Sequence, residues 1–353
     1  MISQNNKTYP QWFFVGLVLV ASLVEVLFLL HIHHKNLAGY SEDARGIVLG
    51  TPPWQAFQNR LLGPWMAWGA ARVFGHTYET WFLVLTGVLW AGANVVTYWC
   101  AYKLTGSQRI AAGAAATSIL LTVVLEGPQG ALLYLWDPLD VLLLTVFAYG
   151  LFAKKGVGFF VLLFAVELLN REAALFIALW LVIDSFQMKR SGGGRRLALT
   201  QPVRLAVGAA LVVVGVAWTK FIRDVLFKHS TLFMNDEHIH MALGNFWTLS
   251  ANAHSLFQVL VHPAPIGVVS LMICPALVAF LFWHRRDYNE DFLKVLLLLT
   301  IMASSVLSFA VFTELRTWLD LLPLLILLHL AMGQQRVRRA LASPVAEPAA
   351  TLG

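Results

Sequence analysis

Residues 157–186 are almost continuously apolar, yet Asn170, Arg171 and Glu172 stand side by side in the middle of them. An ionised side chain at the centre of a bilayer costs at least about 2.5 to 3.5 kcal/mol on insertion scales. These three residues therefore need partners, water or a turn at the membrane surface. We predict the turn, with two short helices that meet at a polar corner.

Composition places the rest of the chain in the same class. The sequence is 58% hydrophobic and 12% charged, with a mean hydropathy of +0.69, whereas soluble domains carry about 25% charged residues. Its apolar runs are close to the roughly 20 residues that cross the hydrocarbon core. This pattern predicts an all-α, polytopic transmembrane helix bundle. Cys100 and Cys274 lie inside apolar runs, which favours small core residues over a disulfide.

The apolar runs predict about ten spans, and the fifth and sixth of them are short. Their bounds are 11–30, 81–102, 110–125, 138–153, 157–169, 173–186, 205–227, 264–283, 292–313 and 317–332. An even number puts both termini on one side, and the basic tail makes that side the cytoplasm, because positive residues in short loops stay inside. With this topology 16 of the 25 Lys and Arg residues are cytoplasmic. We expect a multi-pass protein of the inner (plasma) membrane.

The predicted domain organisation is simple. Residues 1–340 form one transmembrane helical domain with two long outer segments, 31–80 and 228–263, and residues 341–353 form a disordered cytoplasmic tail. Within the first outer segment, Ala56 to Phe74 is rich in Trp, Ala, Leu and Met, which predicts an amphipathic interfacial helix. The Ser191 to Gly194 stretch predicts a cytoplasmic hinge loop.

Acidic pairs occur at two places on the predicted outer side. Glu42 and Asp43 follow the first span on the outer loop, where they could supply a general base, bind a divalent cation or form an ordinary solvated turn. Asp137 precedes Pro138, so it can cap a helix, with Asp140 in the first turn. That structural role competes with a role in the site.

Arginines occur at corners on the same side. Arg60 can hold a phosphate with its planar fork or extend to lipid headgroups. Glu167 and Arg171 are four residues apart, which allows a helical ion pair, but a helix break near Asn170 would instead make Arg171 and Glu172 line a polar cavity. We favour the cavity.

The connection between the last two predicted spans repeats this combination. Glu314 and Arg316 are two residues apart, and Asp320 follows Arg316 at the spacing of a helical ion pair, in the less favourable order. This outer corner therefore combines an acid with an arginine, as the corner at Arg171 and Glu172 does.

Histidines are concentrated in the second outer segment. His238 and His240 follow two acids, which could bind a metal or transfer protons, although the spacing matches no zinc signature. The sequence therefore leaves a metal requirement open. If a metal is needed, a divalent cation is the kind that the outer acids could bind. Because the positive charge follows membrane orientation, we expect no nucleic-acid partner.

Acids and arginines on one face suit a lipid phosphate, whose head lies at the surface while its chain stays in the bilayer. The architecture resembles the GT-C class of membrane glycosyltransferases, which use polyprenyl-phosphate sugars. In that class an acidic motif and interfacial helices follow the first span, and a second large outer loop follows the seventh. Here Glu42-Asp43, the stretch 56–74 and the segment 228–263 occupy those places.

The resemblance implies transfer of a sugar to a glycan or lipid acceptor at the extracytoplasmic face. It implies that Asp43 or Glu42 deprotonates the acceptor or positions a cation. The implied phosphate ligands are Arg60, Arg171 and Arg316, the further site acids are Asp137, Asp140, Glu172 and Glu314, and the substrate-binding candidates are Asn170, His238 and His240. The alternatives are a lipid-linked polysaccharide polymerase or ligase, and a transporter of small solutes or lipids.

Overall fold

The structure is a computed structural model. It describes residues 9–52, 57–127, 133–191, 194–228, 240–242, 245–262, 265–284, 290–311 and 314–342.

The described chain is helical apart from two short hairpins. Its α-helices are α1 (Gln11–Ile32), α2 (Leu37–Val48), α3 (Leu62–Phe74), α4 (Tyr78–Thr105), α5 (Gln108–Glu126), α6 (Trp136–Phe152), α7 (Val157–Leu168), α8 (Ala174–Asp184), α9 (Pro202–Phe221), α10 (Leu249–Val261), α11 (Pro265–Trp283), α12 (Glu290–Phe309) and α13 (Leu322–Ala342). A π-helical turn, Ile222–Leu226, extends α9, and a 3-10 helix, Leu315–Leu321, leads into α13. The hairpins pair β1 (Phe186–Ser191) with β2 (Gly194–Leu199) and β3 (His240–Ala242) with β4 (Asn245–Trp247).

Seven helical segments of the described chain are long and apolar enough to cross a membrane. They are α1, α4, α5, α9 with its π-helical turn, α11, α12, and the 3-10 helix together with α13. The chain is therefore a multi-pass helical membrane protein, and the prediction of an all-α bundle is confirmed. The two short apolar helices are α7, with 12 residues, and α8, with 11. The count of ten spans stays a prediction.

The bundle packs around α4, which contacts α1, α5, α6 and α13. Elsewhere in the bundle, α9 packs closely against α8. A Cβ atom at Gly208 would lie 2.9 Å from the carbonyl oxygen of Ala178, so only glycine permits this approach.

Ion pairs lie at two opposite ends of the bundle. At one end Lys154 binds Asp291 at 2.8 Å, and Lys294 binds Asp184 at 3.2 Å. The other end, called the cluster end below, holds α2, the start of α3, the residues between α7 and α8, and the 3-10 helix. Nearly all the candidate site residues that the structure describes lie at this second end.

Three local predictions are wrong, and a fourth is wrong in part. Glu42 and Asp43 lie within helix α2 and not in a loop. The interfacial helix begins at Leu62, because residues 57–61 turn back to bond the corner after α7. The expected hinge at 191–194 joins two antiparallel strands. The predicted disordered tail, 341–353, is wrong for Leu341 and Ala342, which belong to α13, and residues 343–353 lie outside the described residues.

Candidate functional site

The polar corner is formed by a break between two short helices. Helix α7 ends at Leu168, and the backbone N–H groups of Asn170 and Arg171 both donate to the carbonyl oxygen of Glu167, at 2.8 and 2.7 Å. The N–H groups of Leu61 and Leu62 donate to the carbonyl oxygen of Leu169 at 2.9 and 2.7 Å. The corner is therefore fixed to the segment that carries Asn59 and Arg60.

Arg171 gathers three aspartates from distant parts of the chain. Its Nη1 atom lies 3.0 Å from Asp140, 3.3 Å from Asp320 and 3.5 Å from Asp137. The guanidinium therefore joins α6 to the 3-10 helix. Burial alone would lower the pKa of Arg171, but these carboxylates outweigh it and raise that pKa. The predicted break near Asn170 is present, and the alternative of a Glu167–Arg171 helical pair is wrong.

Arg316 lies beside Arg171 and shares one of its partners. Its Nη1 atom donates to Asp137 at 3.2 Å, and its Nη2 atom donates to Glu314 at 3.3 Å. Asp137 thus bridges two arginines, and we call Arg171, Arg316, Asp137, Asp140, Glu314 and Asp320 the charged cluster.

Two predicted local roles are replaced by these contacts. Helix α6 begins at Trp136 after Leu135, with no side-chain cap, so Asp137 is not an N-cap. Arg316 binds Asp137 and Glu314, while Asp320 binds Arg171, so Arg316 and Asp320 do not form the expected pair. In both cases a long-range contact replaces the predicted local one.

Glu172 belongs to a second ion pair next to the cluster. Its Oε1 atom accepts from Arg223 at 3.0 Å and from Asn59 at 2.5 Å. Burial alone would raise the pKa of Glu172, but the charges of Arg60 and Arg223 outweigh it and lower that pKa. Arg223 lies in the π-helical turn, a form frequent at functional sites. The sequence did not predict this role, because there Arg223 is only a charged residue near the end of a predicted span.

Asp43 reaches the cluster through a tyrosine. The Tyr134 hydroxyl donates to Asp43 Oδ2 at 2.8 Å, and the Tyr134 ring stacks on Trp136 with centroids 4.2 Å apart. Arg316 Cζ lies 5.6 Å from the centroid of the Tyr134 ring. Burial raises the pKa of Asp43, and the hydrogen bond from Tyr134 reduces that rise. Glu42 is exposed on the other face of α2.

Arg60 lies among rings and like charges. Its Cζ atom is 5.4 Å from the centroid of Phe57 and 5.5 Å from that of Trp136. Burial first, and then the positive charge of Arg171, lower the pKa of Arg60 to about 10. Arg60 is therefore a cation at neutral pH, and the charges that act on it are those of Arg171 and Arg316 and, with the opposite sign, of Glu172 and Asp137.

Buried polar residues complete the site. Asn170 is fully buried, and its Nδ2 atom lies 3.4 Å from both the Trp136 carbonyl oxygen and Glu167 Oε1. Glu126 at the end of α5 is 1% exposed, and the charges of Asp137 and Arg316 act on it. No motif marks Glu126 in the sequence.

An apolar groove of about 580 Å³ ends beside the charged cluster. It lies between α5, α11 and the 3-10 helix with α13, and on α5 its lining runs from Ile110 to Leu125. At about 1.5 Å per helical residue this is a length of about 22 Å. Trp318 lines the groove and lies between Arg316 and Asp320 in the chain. A long apolar chain in the groove would therefore end at the two arginines.

The remaining candidates lie outside this geometry. His238 is outside the described residues, and for His240 only the backbone, in β3, is described. Among the residues that the structure describes, no group of three or more His, Cys, Asp or Glu is arranged to hold a metal ion.

Comparisons of the chain with family models, with curated proteins and with solved structures give no match. The geometry of the cluster end is therefore the only basis for assigning a function.

Proposed function

We propose that this protein transfers a sugar from a polyprenyl-phosphate donor to a hydroxyl acceptor at the extracytoplasmic face of the inner membrane. The observation that carries the proposal is the apolar groove that ends at a buried cluster of arginines and carboxylates. A lipid-linked phosphate needs both features in this order, and a water-soluble substrate needs no such groove.

The groove suits the lipid part of the donor. Its lining is apolar except for Thr117 and His329, and the Thr117 hydroxyl already donates to the carbonyl oxygen of Gly113. Its length of about 22 Å is most of the roughly 30 Å hydrocarbon core, so a chain can lie along the groove without leaving the bilayer.

The arginines suit the phosphate. Arg171 and Arg316 both act on Arg60 as like charges and lower its pKa. A phosphate placed among the three guanidinium groups would accept charge-assisted hydrogen bonds from them. The same groups would stabilise the negative charge that grows on the phosphate as the sugar leaves, which is the electrostatic contribution that a transferase needs.

The reaction would then proceed by substitution at the sugar. The acceptor oxygen forms a bond to the anomeric carbon, the bond from that carbon to the phosphate oxygen breaks, and the electron pair of that bond stays on the polyprenyl phosphate. The proton of the acceptor hydroxyl goes to a carboxylate of the site. Asp140 and Glu172, which pair with Arg171 and Arg223, would accept hydrogen bonds from sugar hydroxyls.

The test uses the purified full chain in lipid nanodiscs. Undecaprenyl-phosphate glucose, mannose, galactose and arabinose are supplied one at a time, with a sugar acceptor or with water, and the release of undecaprenyl phosphate is measured by mass spectrometry. We expect release from at least one donor. Arg60→Gln should reduce that release about 100-fold or more, the size of effect seen when one preorganised donor to a developing anion is removed.

Arg45→Gln is the matched control. Arg45 lies on α2 near the same end, but its side chain is 54% exposed and its contact to Glu79 is 3.9 Å. We expect Arg45→Gln to release undecaprenyl phosphate at the wild-type rate. The proposal is overturned if no donor releases undecaprenyl phosphate, or if Arg60→Gln is as active as Arg45→Gln.

A further inference from the structure

Among the described residues of the cluster end, Glu126 is the buried acid whose carboxyl group has neither a hydrogen bond nor a salt bridge. Asp137, Asp140, Glu314 and Asp320 each have a guanidinium group within salt-bridge distance, and Asp43 accepts from a tyrosine. Both carboxyl oxygens of Glu126 are buried with no hydrogen-bond partner, and among the described residues no other carboxyl group has both oxygens in this state. Such a group is costly to the fold and needs an explanation outside it.

The backbone around Glu126 is held in place although its carboxyl group is not. The ring nitrogen Nε2 of His33 lies 3.2 Å from the carbonyl oxygen of Glu126, and because that oxygen can only accept, Nε2 carries the proton. Helix α5 therefore ends at a fixed point. Burial lowers the pKa of His33, so its ring is held neutral beside Glu126.

Glu126 also lies where the groove meets the charged cluster. It follows Leu125, which lines the groove. The charges that act on its carboxyl group are those of Asp137, Arg316, Glu314 and Arg171. A sugar joined to a phosphate at Arg316 would thus come near a carboxyl group to which no described residue donates.

We propose that Glu126 is the general base, taking the proton of the attacking hydroxyl. The inference rests on the proposed function. In this step the hydroxyl O–H bond breaks and the proton moves to a Glu126 oxygen. The hydroxyl oxygen bonds the anomeric carbon, and the polyprenyl phosphate leaves with the electron pair of the broken C–O bond.

The other acids of the site are less suited to this step. The carboxylates of the charged cluster are held by Arg171 and Arg316, and taking a proton would cost them those ion pairs. Asp43 is already bonded to Tyr134, and Glu42 is exposed. Glu126 would gain a hydrogen bond from the substrate hydroxyl without losing a salt bridge or a hydrogen bond to another described residue.

The first test compares turnover of the donor that the wild-type protein uses. Glu126→Gln keeps the size of the side chain and removes the base, so we expect kcat to fall about 10²- to 10⁴-fold while KM changes little. Glu126→Ala should be partly rescued by added formate, which can supply a carboxylate in the vacated space. The acid limb of the pH profile of the wild type should be lost in Glu126→Gln. Full activity of Glu126→Gln, or no rescue by formate, overturns the assignment.

The second test is independent of turnover and compares the midpoint of thermal unfolding. Neutralising a buried carboxyl group without a partner should leave the midpoint unchanged or raise it, whereas Asp137→Asn removes a partner from both Arg171 and Arg316 and should lower it. A lower midpoint in Glu126→Gln would show a structural role and contradict the proposal. If the wild type releases no undecaprenyl phosphate, the proposed function fails and the base assignment fails with it; if only the Glu126 variants behave unexpectedly, the base assignment fails alone.

Discussion

Replacement of Arg171 by glutamine removes the guanidinium group that joins three aspartates. Asp137 keeps its contact with Arg316 at 3.2 Å, but Asp140 and Asp320, at 3.0 and 3.3 Å from Arg171, lose the guanidinium that holds them. These carboxyl groups are nearly buried, so solvent compensates little for the loss. Breaking a buried ion pair by removing one partner costs about 3 to 5 kcal/mol, and we expect a decrease of that size in the free energy of unfolding.

The reasoning can be checked with a double-mutant cycle. Asp140→Asn added to Arg171→Gln removes one of the unpaired negative charges, so the double variant should be more stable than the sum of the single effects predicts, by about 0.5 to 3 kcal/mol. Equilibrium unfolding in detergent, followed by circular dichroism, measures all four proteins. Arg45→Gln serves as the exposed control and should change stability by no more than about 0.5 kcal/mol. If Arg171→Gln is as stable as that control, or if the two substitutions are additive, the charged cluster does not stabilise the corner.

Four further predictions follow from the surroundings of individual residues. The raised pKa of Asp43 means that the folded state holds the proton more tightly, so the contribution of Asp43 to stability falls as pH rises from about the ordinary value of 3.8, and Asp43→Asn should gain on the wild type over that rise in denaturation curves. The lowered pKa of Glu172 has the opposite sign: its contribution is present above the ordinary value of 4.5 and is lost as pH falls through the lowered value, so Glu172→Gln should be less stable at neutral pH and equal to the wild type in acid. Gly113 lines the groove with nothing within 4 Å of an added Cβ, so Gly113→Leu should reduce copurified lipid, measured by mass spectrometry, whereas Gly158→Leu, equally open but outside the groove, should not. The last prediction uses a variant in which Cys100 and Cys274 are replaced. An impermeant maleimide added to intact cells should label Glu42→Cys and not Lys154→Cys in this variant, since the two exposed positions lie at opposite ends of the bundle. The reverse result would exclude an extracytoplasmic site.

The sequence was sufficient for the helical class and for the break between α7 and α8. Apolar runs near membrane length predict helices because a bilayer leaves the backbone few other ways to satisfy its hydrogen bonds. The break was predictable because Asn170, Arg171 and Glu172 together cannot be buried in lipid without partners. Both inferences depend on the cost of polar groups in an apolar medium, which a single chain reveals without knowledge of its neighbours.

Partners across the fold were not predictable in the same way. Rules for residues four apart paired Arg316 with Asp320, but the structure pairs Arg316 with Asp137, 179 residues away in the chain. Tyr134, Arg223 and Glu126 acquire their importance only from what lies beside them, and no local pattern distinguishes them from other polar residues at helix ends. The separation of Glu42 from Asp43 on helix α2 has the same origin, since adjacent residues on a helix point in different directions.

The shortness of α7 and α8 has a consequence for the bilayer around the protein. Helices of 12 and 11 residues extend only about 18 and 16 Å, against a hydrocarbon thickness of roughly 30 Å. Neither helix spans that thickness by itself, so beside the ionic corner between them the bilayer would thin or water would fill a recess. Membranes with longer acyl chains would deepen that recess and increase the cost of deformation. The protein should therefore respond to membrane thickness at its corner before any other part of its surface.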